Sequence, residues 1–191
     1  ITGFIRMVLI GSTLGPAISS AFGTANQLPN LITEIVLGAV LTSLVVPVLV
    51  RAEKEDADRG EDFVRRLFTL AFSLLATITV LSCIFAPQIT RIMLPEDGEV
   101  NAIQATSFAY LLLPQIFFYG LFALFQAVLN TKNIFGPGAW APVVNNIISI
   151  TVLVAYQLLP GSLHPDAPSP ITDRHVLLLA LGTTAGVVVQ C

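Results

Sequence analysis

Charge is what this sequence has least of. Asp, Glu, Lys and Arg make up 11% of 191 residues, against about a quarter of an ordinary soluble domain. With 54% hydrophobic residues and a mean hydropathy of +0.82, the chain reads as an integral membrane protein. A formal charge of −3 and scattered basic residues exclude a nucleic-acid groove reader. Two cysteines, Cys83 and Cys191, give no disulfide framework. Cys83 lies in an apolar run and reads as a buried thiol. His164 and His175, in or beside a loop, fit no compact metal site, and no glycine-rich loop joins a strand to a helix. With no hydrolytic or redox constellation in view, no catalytic residue, metal ligand or cofactor is expected, and a coupling ion or the membrane potential stays open.

What is present is long apolar runs cut by proline. A bilayer core takes about 20 apolar residues as a helix. Six segments of that kind are expected, at about 1–15, 28–50, 64–93, 101–129, 139–159 and 175–191. The fold class is therefore all-α, a polytopic transmembrane helical bundle. The chain opens at Ile1 inside helical sequence and stops at Cys191 within an apolar run, so it reads as a piece of a longer chain. Pro16 and the small residues to Ala25 suggest a short connection, and Gly11/Gly15 and Gly182/Gly186 have the small-xxx-small spacing of close helix approach. Pro87 and Pro114 mark kinks that a membrane helix tolerates. Phe118, Phe122 and Phe125 share a helical face and read as a lipid-facing or packing stripe. Trp140 and Tyr156 fall near the two ends of the fifth segment, where interfacial aromatics are enriched.

The polar stretch RAEKEDADRGEDFVRR, residues 51–66, reads as a solvated loop and the ends of two helices, with a docking site for a soluble partner as the alternative. Arg51, Lys54, Arg59, Arg65, Arg66 and Lys132 lie on one side of the membrane, Arg91 and Arg174 on the other. The positive-inside rule then places the 51–66 loop in the cytoplasm.

Charges inside the spans come down to Arg6 and Glu34. A charge at the centre of a membrane helix costs roughly 2.5–3.5 kcal/mol on insertion scales, so it usually faces protein or a wet cavity. These two are expected to pair across the first two helices in at least one conformational state. Such a sparse set suits binding or translocation more than bond-breaking.

GFIR at 3–6, LPNLI at 28–32, the glycine and proline of Gly38 to Pro47, and above all LNTKNIFGPGAWAPVVNNI at 129–147 resemble the MurJ/MviN family of lipid II flippases. The resemblance implies helices one to six of about fourteen, in a two-lobed transporter around a central cavity. The implied activity is moving the undecaprenyl-pyrophosphate-linked peptidoglycan precursor to the outer leaflet of the bacterial cytoplasmic membrane. Its implied partners are that precursor, membrane lipids and cell-wall synthesis proteins. Arg6 matches the arginine of the family's first motif and takes a headgroup-facing role; Asn30 and Glu34 join it as substrate-binding candidates. Met7, Ser20 and Leu37 stand where the family carries acids, and Thr33 and Glu34 where it carries bases, which implies a divergent subfamily with re-paired charges. A non-transporting scaffold for cell-wall synthesis proteins and a drug or cation antiporter are the other classes compatible with this sequence.

Overall fold

A computed structural model describes residues 2–38, 61–93, 102–161, 163 and 170–191. Every regular element among them is helical: α1 (Thr2–Thr33), a π-helical turn (Glu34–Gly38), α2 (Glu61–Ile84), α3 (Ala86–Met93), α4 (Ala102–Leu112), α5 (Gln115–Thr131), α6 (Gly136–Leu158) and α7 (Arg174–Gln190). Most of the 51–66 loop, His164 and the stretch from Ala39 to Val50 lie outside the described residues.

The helical run from Thr2 to Gly38 is 37 residues long. Straight, it would measure about 55 Å, nearly twice a bilayer core of about 30 Å. It breaks at Gly15, whose φ of 74° and ψ of 169° lie in a backbone region that essentially only glycine occupies. Pro16 completes the break. It pushes the residue before it out of the α region, and its fixed φ and missing N–H suit the first position of a new helix. The two arms fold back on one another: Gly3, Arg6 and Ile10 line one cavity with Ser20, Gly23 and Gln27. On a straight helix Gly3 and Gln27 would be about 36 Å apart. Residues 16–25, expected as a connection, are instead the start of the second arm. Gly11 and Gly15 do not serve close packing, since a Cβ on either would meet open space.

Proline breaks two further segments. After Phe85 the chain restarts as α3, with Pro87 in its first turn. Between α4 and α5, Leu113 and Pro114 bend the axis by 42°. Pro114 has no N–H to donate, and the region is tied up laterally: Gln115 Nε2 donates to Thr184 Oγ1 at 2.8 Å, and the Thr184 hydroxyl donates to Leu111 O at 3.3 Å.

The bundle is organised around α1 and α7. α1 packs on α4, α5 and α6, and α7 lies chiefly on α6 and also on α4 and α5, while α2 covers α5. Phe22, Phe108, Leu112, Leu113, Ile116, Leu153, Val176 and Leu179 form the main core. A smaller cluster of Leu37, Ala71, Leu75 and Leu124 seats α2 against α5. Phe125 and Phe68 stack with centroids 5.0 Å apart, so part of the phenylalanine stripe packs on α2. Cys83 is a half-buried free thiol. Many apolar side chains point outward, Leu70 and Ile92 among them, as lipid contact requires.

Lipid tails are as apolar as leucine, so helix association here relies on close van der Waals packing. Gly182 and Gly186 supply it for α7 on α6. A Cβ at Gly182 would collide with the Val152 side chain, and one at Gly186 would lie 2.5 Å from Asn145 Oδ1. Trp140 is 67% exposed, in keeping with an interfacial site, but Tyr156 is buried at 4%. Its hydroxyl accepts from Leu163 N at 3.2 Å and its ring meets His175 edge-on at 5.1 Å. Tyr156 therefore closes the α6–α7 corner and is not an interfacial anchor. Asp173 caps α7 by accepting from His175 N at 2.8 Å, and its carboxylate lies 3.4 Å from His175 Nδ1.

Two outcomes are expected. Gly186→Val should cost about 1–3 kcal/mol through overpacking, read as a lower midpoint of thermal unfolding in detergent, with Ala185→Val on the exposed side of α7 near neutral. Gly15→Ala should cost about 1–3 kcal/mol because no space relieves a positive φ. A cysteine pair across the two arms should then crosslink more slowly than in the parent protein.

Candidate functional site

The cavity between the arms of α1 mixes their polar positions with glycines and with Met7, Ile10 and Phe22, and takes Asn146 from α6. It measures about 460 Å³, is open to the outside, and is lined by Arg6, Ser19, Ser20, Asn26, Gln27 and Asn146 among others. The first arm supplies Arg6 and the second brings the serines and amides opposite it. The apolar backs of both arms face the core through Leu14, Ile18, Phe22 and Leu28. Among the described residues, Arg6 is the one basic side chain lining this cavity.

Asn146 on α6 holds Arg6 in place. Its Oδ1 accepts from Arg6 Nη1 at 3.4 Å while its Nδ2 donates to Thr2 Oγ1 at 3.3 Å. A guanidinium carries five N–H donors, and this long bond uses one. The remaining donors are left for other partners, while the Oδ1 of Asn26, beside the cavity, is buried and unpartnered. Ser149, whose buried hydroxyl has no partner, adjoins Arg6 in a small pocket at the back. The hydroxyls of Ser19 and Ser20 turn inward to Pro16 O at 3.0 and 2.8 Å, which keeps the second arm's first turn intact beside the cavity.

Asn30 and Glu34 do not join Arg6. They line a separate cavity of about 310 Å³ with Thr33, Tyr119, Gln126 and Gln190. No ion pair links Arg6 and Glu34; among the described residues the one close acid–base contact is His175 with Asp173. The hairpin explains the separation. Residues equidistant from Gly15 face each other, which sets Arg6 opposite the region of Thr24. Glu34 lies ten positions further along the second arm, about 15 Å in helical rise. In this structure the expected Arg6–Glu34 pair is not formed, and Arg6 contacts Asn146. Asn146 and Asn26 were not among the sequence-derived candidates. The visible sign was an amide pair in an apolar helix, Asn145–Asn146, and the polar run that opens at Asn26.

Comparison with known proteins bears on this arrangement directly. A family model described as "Lipid II flippase MurJ" matches residues 10–191. Among curated proteins, the lipid II flippase MurJ of Burkholderia cenocepacia is 28% identical over 165 residues, covering 83% of this chain and 32% of its own length. The probable lipid II flippase MurJ of Haemophilus influenzae is 24% identical over 201 residues, covering the whole of this chain and 37% of its own. That of Bdellovibrio bacteriovorus is 24% identical over 152 residues, covering 77% of this chain and 29% of its own. The chain thus spans about a third of the length of these relatives. No solved structure gives a significant match. With residues 10–191 matched, a range that takes in Asn146 and most of both arms of α1 and begins after Arg6, this all-α membrane chain belongs to the lipid II flippase MurJ family.

Proposed function

We propose that these helices form part of a transporter that carries an undecaprenyl-pyrophosphate-linked peptidoglycan precursor from the inner to the outer leaflet of the bacterial cytoplasmic membrane. The observation that carries this reading is the Arg6 cavity: one guanidinium, most of its donors unused, in an open cleft of mixed polar and apolar lining within a helical membrane bundle. A pyrophosphate moved through a bilayer without counter-charge would bear a very large desolvation cost. Arginine offsets it with paired, charge-assisted hydrogen bonds that a lysine point charge cannot reproduce. The amides of Asn26, Gln27 and Asn146 suit sugar and peptide groups beside that charge.

Translocation proceeds by alternating access, with a second lobe closing over this face. The 51–66 loop faces the cytoplasm, the Gly15 turn lies toward the outer side, and the loop offers cell-wall synthesis proteins a docking segment. A coupling ion or the membrane potential drives the cycle. Family membership does not favour the scaffold or the antiporter.

In the full-length protein, Arg6→Ala should insert normally but fail to complement a depletion strain. Precursor should then stay inaccessible to a cleaving enzyme added from outside. Loss of one charged hydrogen bond of about 1.5–3 kcal/mol corresponds to roughly 10–100-fold weaker binding. Arg6→Lys should fall between the two, because the charge stays and the fork is lost. Full complementation by Arg6→Ala would overturn the reading and favour a scaffold. A smaller defect is expected for Asn146→Leu, which removes the contact that orients Arg6, and it should appear as reduced precursor binding at unchanged protein level.

A further inference from the structure

The Glu34 cavity has the opposite chemistry to the Arg6 cavity. Its polar lining is one carboxylate with the neutral polar groups of Asn30, Thr33, Tyr119, Gln126 and Gln190, and among the described residues no Lys, Arg or His lines it. Glu34 is exposed and has no ion-pair partner among the described residues. A carboxylate at this position along a membrane helix faces a wet cavity in preference to lipid. The Thr33 hydroxyl is spent on Pro29 O at 2.7 Å, with a longer contact to Ile116 O at 3.4 Å, and so seats this part of α1 on α5. The backbone from Glu34 to Gly38 is π-helical, a one-residue widening that recurs at functional sites.

We propose that this cavity receives an organic ammonium group of the cargo, so that the transporter holds its substrate at two points of opposite charge. The lining favours an ammonium with an organic stem over a metal ion. The cavity is about 310 Å³ and open to water, so its volume admits a hydrated ion as well, and the apolar part of the lining is what distinguishes the two. An alkylammonium brings its own stem to fill the apolar floor made by Leu37 and Ala123. Tyr119 and Phe122 belong to the same lining, and aromatic rings attract cations over their faces. An ammonium has three donors and no acceptor, which matches a lining of one carboxylate and several amide and hydroxyl oxygens. Along the second arm, Glu34 lies about 15 Å of helical rise beyond the level of Thr24, the position opposite Arg6 about Gly15. That distance selects an extended headgroup with its anion and its amine well apart.

This inference rests on the lipid-precursor reading, and the test separates the two. Binding of the lipid-linked precursor to the purified full-length protein in nanodiscs is measured with its peptide side-chain amine free and N-acetylated. The parent protein should prefer the free amine by about tenfold, the scale of one charged hydrogen bond. Glu34→Gln, which keeps the shape and removes the charge, should bind both forms alike. Arg6→Ala should weaken both forms while keeping the preference. Equal binding of the two forms by the parent protein would overturn the ammonium site and leave the precursor reading standing. Binding that needs sodium in place of choline, ignores acetylation and is lost in Glu34→Gln would overturn it in favour of a metal-ion site. Failure of the parent protein to bind either form would overturn the precursor reading and this inference together.

Discussion

A helix cannot run unbroken from Thr2 to Gly38 and stay within one bilayer. The chain resolves this at Gly15–Pro16, and the rest of the arrangement depends on that fold-back. It turns one apolar run into two facing arms, sets polar positions from both along one cleft, and leaves their apolar backs to build the core with Phe108, Leu112 and Ile116. Without the break, Arg6 would have no wall opposite it.

Hydrogen bonding in the spans follows from the scarcity of water. Hydroxyls within the helices mostly donate to carbonyls one turn back: Thr33 to Pro29 O, Thr90 to Ala86 O, Ser107 to Ile103 O and Thr183 to Leu179 O. Such back-bonding hides a polar group at little cost and bends helices slightly. The exceptions matter most. Gln115 and Thr184 reach across to tie α5 to α7 at the Pro114 bend, and Asn146 reaches α1 to hold Arg6. Gln157 to Thr13 and Thr90 with Thr106 add further side-chain bonds between helices.

The two charges inside the first helices are kept apart. Each occupies its own cavity beside neutral amides, so neither is cancelled by the other. A paired Arg6 and Glu34 would have been a closed structural contact with little left to offer a ligand. Held separately, each keeps its charge available in a cavity of its own.

Much was legible in the residues alone. Low charge and long apolar runs determined an all-α membrane bundle, because a bilayer leaves the backbone few other ways to satisfy its hydrogen bonds. The Gly182/Gly186 spacing pointed to close packing, and the motif around residues 129–147 pointed to the family. The Gly15–Pro16 pair was also readable as a helix end followed by a helix start, had proline been taken at its first-turn value and not as a sign of loop. Three things were decided only in three dimensions. Tyr156 turned inward to His175, Arg6 met Asn146 and not Glu34, and Glu34 received a cavity of its own. Each depends on which residues a fold-back brings to the same depth, and depth is set by a single turn angle and the rise of two helices, quantities that no local pattern carries.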